Sequence, residues 1–191
     1  DLNGVNADPQ LVSISTGSED LHIQATSPAI NLASGSPTSI DIDGDSRPLA
    51  GGTDAGADEA NIAEIEVLQG TTNIADGGSF NAGSVSTASG ASITFTINNL
   101  GSANLLLTGG PAVVATIVSN LDAGSGVQTQ PAVTTISAAG TTTFVVFVDP
   151  TAAGAFSLDI SIDNNDANEN PFNFTVDGTA SRDADGDPLT Y

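Results

Sequence analysis

Residues 141–179 limit the fold more than any other part of the chain, because apolar residues recur there at every second position three times over. Phe144, Val146 and Val148 make the first set, Phe156, Leu158, Ile160 and Ile162 the second, and Phe172, Phe174 and Val176 the third. A period of two is that of a strand with one buried face. Between the first two sets, Asp149-Pro150-Thr151-Ala152-Ala153-Gly154 is turn chemistry, since proline presets a dihedral and removes a ladder donor while glycine frees the backbone. Between the second and third, residues 163–171 are mostly Asp, Asn and Glu, and Asp and Asn side chains bond their own backbone in loops. The three runs are predicted to form a meander whose middle strand starts at a proline turn and ends in an acidic loop.

The pattern extends through residues 61–180, which read as one Greek-key sandwich. Strands are predicted at 64–68, 91–98, 104–107, 113–119, 133–137, 142–149, 155–163 and 171–177, spaced by roughly 8–12 residues as such folds require. With 7 Phe, 1 Tyr and no Trp, the core is expected to be thin layers of Val, Ile, Leu, Ala and Thr. Residues 1–60 differ in texture. Short apolar groups such as Leu11-Val12-Ser13-Ile14, Leu21-His22-Ile23 and Ala29-Ile30-Asn31-Leu32 are separated by Ser, Gly, Asp and Pro. They suit the short strands of a coiled parallel sheet, in which each rung stacks on the last.

Charge excludes whole classes of partner. The chain has 23 Asp and Glu against Arg47 and Arg182, a formal net charge of −21. Nucleic acid and anionic membrane both demand a basic footprint, so neither is expected as a direct partner. Divalent cations and a salty medium fit better. The absence of Cys rules out disulfides. No run of about 18 apolar residues is present to cross a membrane as a helix. With neither an initiating Met nor a signal-peptide pattern, the chain reads as a processed product or a piece of a longer polypeptide.

Three acidic clusters are candidate calcium sites: Asp41, Asp43 and Asp45; Asp163, Asp166 and Glu169; and Asp183, Asp185 and Asp187. Calcium takes six to eight oxygens, and alternating Asp around a Gly lets carboxylates and carbonyls converge. None is an EF-hand, because the bidentate Glu at about the twelfth loop position is missing. The competing reading is a solvated turn that uses Asp for local hydrogen bonds, and in the first cluster Arg47 could neutralise an Asp instead. The strand at 171–177 runs away from the acidic loop, which places Ala180 near the Asp149–Gly154 turn. Asp149 is therefore the sandwich-side ligand expected to complete a site with Asp183, Asp185 and Asp187. His22 is the only histidine, so any triad or imidazole-ligated zinc must use it; in the Leu21-His22-Ile23 strand a buried or half-buried packing role is expected instead. Phosphate-loop chemistry needs a lysine, and there is none. Asn173-Phe174-Thr175 fits a glycosylation acceptor, with Asn173 on the face opposite Phe172 and Phe174.

Two resemblances sharpen this picture. Asp8-Pro9-Gln10-Leu11, Asp20-Leu21-His22-Ile23, Ser27-Pro28-Ala29-Ile30-Asn31, Asp41-Ile42-Asp43-Gly44-Asp45-Ser46-Arg47-Pro48 and Asp54-Ala55-Gly56-Ala57-Asp58-Glu59 resemble, in order, the C-terminal end of secreted bacterial β-helix proteins of the choice-of-anchor Q type. The resemblance implies a few last rungs and an acidic cap. Phe95-Thr96-Ile97-Asn98-Asn99-Leu100-Gly101-Ser102-Ala103-Asn104-Leu105, then Phe147-Val148-Asp149-Pro150-Thr151-Ala152-Ala153-Gly154, then Asn165-Asp166-Ala167-Asn168-Glu169-Asn170-Pro171-Phe172 resemble the choice-of-anchor D domain, an immunoglobulin-like module related to the ASH/hydin group. The second resemblance implies no catalytic residues. Ser181-Arg182-Asp183-Ala184-Asp185-Gly186-Asp187-Pro188-Leu189-Thr190-Tyr191 is similar to the opening strand of cadherin-like and other tandem bacterial repeats.

The fold expected is therefore all-β: the end cap of a parallel β-helix over 1–60, an immunoglobulin-like Greek-key β-sandwich over 61–180, and a linker with the first strand of a following module over 181–191. The function expected is a non-enzymatic structural and adhesive segment of a large bacterial extracellular or cell-surface protein, such as a fibre subunit. Its expected partners are neighbouring modules or subunits, with a polysaccharide or cell-surface ligand. The alternative is a non-catalytic accessory region of a secreted β-helix enzyme that degrades polysaccharide.

Overall fold

A computed structural model describes residues 6–34, 38–49 and 52–181. Thirteen strands, numbered in chain order, account for its regular structure, and no helix occurs among the described residues: β1 (Leu11–Ser13), β2 (Asp20–Ile23), β3 (Ile65–Gln69), β4 (Thr72–Ile74), β5 (Gly78–Ser86), β6 (Ala91–Asn99), β7 (Leu105–Leu106), β8 (Val114–Ser119), β9 (Gly126–Thr129), β10 (Thr135–Ile136), β11 (Thr141–Val148), β12 (Gly154–Ile162) and β13 (Phe172–Ser181). All eight strands predicted for the sandwich are present in substance. β4, β5 and β9 are additional.

Two sheets face each other. One has the order β4-β3-β6-β11-β9 and the other β5-β13-β12-β8, with β7 and β10 forming a separate ribbon. Every pairing is antiparallel except β5 with β13. Alternation dictates which side chains turn inward: Ile93, Phe95 and Ile97 of β6, Phe144, Val146 and Val148 of β11, Phe156, Leu158, Ile160 and Ile162 of β12, and Phe172, Phe174 and Val176 of β13 share one buried core. The core is more aromatic than the composition suggests. Phe95 lies 5.3 Å from Phe144 in its own sheet, and 5.5 Å from Phe80 and 5.2 Å from Phe174 of the facing one. Those spacings suit stacked and edge-on ring contacts, so a few phenylalanines concentrated at the centre replace many thin layers.

The predicted meander is corrected at its first connection. β12 and β13 do pair, over Gly154–Ala180 to Ile162–Phe172, but β11 pairs with β6 and β9 in the opposite sheet. Residues 149–153 carry the chain across the sandwich, and sheets about 10 Å apart are within reach of such a connection. Asn120 holds this crossing in place. Its Nδ2 donates to the carbonyls of Ala152 and Ala155, and its Oδ1 accepts from the Thr151 hydroxyl and the Ala152 N–H. Pro150, without a donor of its own, bridges to Leu121.

Residues 6–60 are built differently. β1 and β2 pair antiparallel, and the remaining bridges, Ala33–Thr53, Ile40–Ser46 and Leu49–Gly52, are antiparallel too. No parallel rung of the expected β-helix is seen among the described residues. The interior of this block is polar: among the described residues, Ser27, Thr53, Asp54, Asp58 and Glu59 are buried beside Ile23 and Ala29 as the only buried apolar residues. Short segments leave many backbone N–H groups without ladder partners, and carboxylates supply the acceptors. Glu59 accepts from the N–H groups of Leu49 and Asp54, Asp54 from those of Asn31 and Ala60, and Asp58 from that of Ile23.

Candidate functional site

The segment joining the two parts is fastened to the sandwich at several points. The Ile62 N–H donates to Ser102 Oγ, the Ala103 N–H to the Ile62 carbonyl, and the Leu100 N–H to the Glu64 carbonyl. Buried Asn99 serves as the anchor, with Oδ1 accepting from the Gly101 and Glu64 N–H groups and Nδ2 donating to the carbonyls of Ala103 and Ile136. Gly101 is required by proximity: a Cβ there would sit 2.2 Å from the Ile62 carbonyl oxygen.

At this junction Glu64, Asp166 and Glu169 bring three carboxylates together, with ligand-capable oxygens within 4.8 Å of one another. Buried Asp166 fixes the start of β3 by accepting the Ile65 N–H at 2.9 Å. Loss of hydration, reinforced by the charges of Asp166, Glu64 and Asp76, pushes Glu169 up to about 7. Burial and then Asp166 also raise Glu64. Near neutral pH the trio can take up a proton or accept a cation. A cleft lined by Ser27, Ile30, Asn31, Ile62, Glu64 and Asn168 opens beside it. Of the predicted cluster, the fold keeps Asp166 and Glu169 together and replaces Asp163 with Glu64, about 100 residues away in sequence.

The first predicted cluster is built as a hydrogen-bonded turn. Asp41 Oδ1 accepts from the N–H groups of Asp43 and Asp45, and its Oδ2 from that of Glu59. Burial works to raise the Asp41 pKa, but the N–H groups of Glu59, Asp45, Asp43 and Gly44 together outweigh it and hold the carboxyl below its ordinary range. Asp45 is exposed. Asp43 reaches His22, whose Nε2 lies 2.7 Å from Asp43 Oδ2 while Nδ1 contacts Asp20. The packing role expected for His22 is thus corrected: its side chain is 42% exposed and bridges two carboxylates. Their hydrogen bonds, that of Asp20 first, raise its pKa to about 9 and keep it protonated at neutral pH. Arg47 neutralises Glu59, at 3.5 Å, and donates to the Gly56 and Asp58 carbonyls.

Asp183, Asp185 and Asp187 lie outside the described residues. Asp149, proposed as their companion, is half-buried; its N–H donates to Ser125 Oγ and its carbonyl accepts from Asp122. Ala180 pairs with Gly154, at the pole where Asp149 sits. Asn173 is exposed on the face opposite Phe172 and Phe174. Sequence reasoning did not find Glu64, because no local motif connects it to the acidic loop. It also missed the His22–Asp43 pair, although Asp20 two residues before the histidine was a local hint.

No family model matches the chain, and no curated protein matches it. Similar solved structures do exist. A protein of unknown function from Porphyromonas gingivalis W83 is 19% identical, covering 61% of this chain and 46% of its own, with a TM-score of 0.45. The secreted serine protease VesC from Vibrio cholerae is 12% identical, covering 55% of this chain and 22% of its own, with a TM-score of 0.45. The ASH/PapD-like domain 7 of human CEP192 is 9% identical, covering 65% of this chain and 89% of that domain, with a TM-score of 0.39. The chain spans less than half the length of the first two.

Proposed function

We propose that this chain is a structural and adhesive segment of a large bacterial extracellular or cell-surface protein, with the sandwich as a spacer and residues 6–60 as the cap of a preceding β-helix. The observation that carries this reading is the placement of entry and exit. The chain enters the sandwich at Ile65, beside Asp166, and leaves it after Ala180, beside Gly154, at the opposite end of β12 and β13. Such a module adds its own length between whatever precedes and follows it. The hydrogen-bonded junction at Asn99, Gly101 and Ser102 supports a fixed connection on the entry side. The sole histidine has both nitrogens engaged by carboxylates, which leaves it unsuited to act as a general base. Calcium bound by Asp183, Asp185 and Asp187 with Asp149 would stiffen the exit side, and the position of Ala180 supports that pairing. Incubating the chain with acidic polysaccharides decides between roles: intact polysaccharide is the expected result, and release of new reducing ends would overturn the structural reading.

A further inference from the structure

We propose that His22 Nε2, Asp43 and Asp58 form a binding site for a divalent first-row transition ion, Zn²⁺ fitting best, with Asp20 orienting the imidazole from behind. The three groups offer ligand atoms within 4.8 Å of one another, and they come from β2, the 41–45 turn and the segment entering the polar interior. Imidazole with two carboxylates is a donor set for such ions, whereas calcium and magnesium prefer oxygen alone. A metal-bound imidazole usually gives its other nitrogen to a carboxylate, which fixes the tautomer and makes the ring a better ligand. Asp20 already occupies that position at Nδ1.

The site also has the right mobility and charge. Nε2 and Asp43 Oδ2 stand 2.7 Å apart, a hydrogen-bond distance, and ligands about 2.0–2.1 Å from a tetrahedral zinc must open to roughly 3.3 Å. His22 and Asp43 are 42% and 51% exposed, so both can swing apart. Asp58 is held in place by accepting the Ile23 N–H, and provides the fixed ligand against which they close. Zinc with two carboxylates and a neutral imidazole is charge-balanced. Arg47, the one arginine among the described residues, is committed to Glu59 and to backbone carbonyls. Imidazole ligates only in its neutral form, so binding weakens as pH falls.

The test uses the whole chain and its single histidine. Zinc chloride is titrated at neutral pH while the His22 ring is followed by NMR, with calcium chloride as the parallel arm. The expected result is a saturable one-to-one shift of the His22 signals with zinc and none with calcium. Asp43→Asn should abolish the saturable shift, and Asp20→Asn should weaken binding by about 10- to 100-fold. A His22 signal that stays fixed up to millimolar zinc overturns the proposal without recourse to any variant. So does a shift that calcium reproduces or that Asp43→Asn leaves intact, either of which reduces the effect to loose attraction by an acidic surface.

Discussion

The sandwich and the block at residues 6–60 solve the same problem with opposite materials. In the sandwich, ladders satisfy the backbone, so the side chains packed around Phe95 are apolar, and buried Asn99 and Asp166 serve the junction instead. In the N-terminal block, the strands are three and four residues long and the other pairings are single bridges, and buried Asp54, Asp58 and Glu59 accept N–H groups left over. Where strands are long, apolar burial drives folding; where they are short, the first requirement is to satisfy the backbone. A chain so rich in carboxylates has acceptors to use this way, at the cost of repulsion that Arg47 relieves in one place only.

The comparison breaks most sharply at the two centres. Phe95→Ala should destabilise the sandwich by about 3–5 kcal/mol, read from denaturant unfolding, because a fully buried ring is replaced by a cavity. Glu59→Gln leaves Arg47 buried without its counter-charge and should cost about 3 kcal/mol. Its signature is local: hydrogen exchange at the Leu49 and Asp54 amides accelerates while the amides of β6 and β11 keep their protection. Equal loss of protection in both regions would show that the polar interior has no separate stability. Gly101→Ala forces the junction apart, at about 1–3 kcal/mol, and should raise protease sensitivity between residues 60 and 65.

The smallest effect is set by pH. Glu169 binds its proton more tightly folded, at about 7, than unfolded, near 4.5. The folded state is therefore favoured below the unfolded value, and that advantage is lost as pH rises through 7. Because the group is only half-buried, solvent screening reduces the effect to about 1 kcal/mol. Glu169→Gln should raise the melting temperature at pH 8 and leave it unchanged at pH 4. A flat pH profile in the parent chain would show that the junction is open to solvent.

The parts of the fold that were legible are those where period-two alternation is unbroken, as in β6, β11, β12 and β13. β5 escaped because its phase changes midway. Asp177 pairs with Asn81 and Thr179 with Ser84, so an extra residue bulges at Gly83, whose φ is 71°. Phe80 and Val85 thus both serve the core although one number is even and the other odd. The first connection of the meander failed for a different reason, since the partners of β11, namely β6 and β9, and the second partner of β12, β8, all lie outside the stretch being read. The acidic loop was visible as a cluster, but its third member arrives from Glu64 through tertiary structure alone.

One feature of the strand order bears on how the molecule carries tension. β3, which brings the chain into the sandwich, lies between β4 and β6, and β13, which takes it out, lies between β5 and β12. Entry and exit are at opposite poles, so a pull between them runs along the strands. Antiparallel ladder hydrogen bonds stand perpendicular to that direction and those of the parallel β5–β13 pair slant across it, so both kinds are loaded in shear. Peeling, which would break them one after another, is not available from either end.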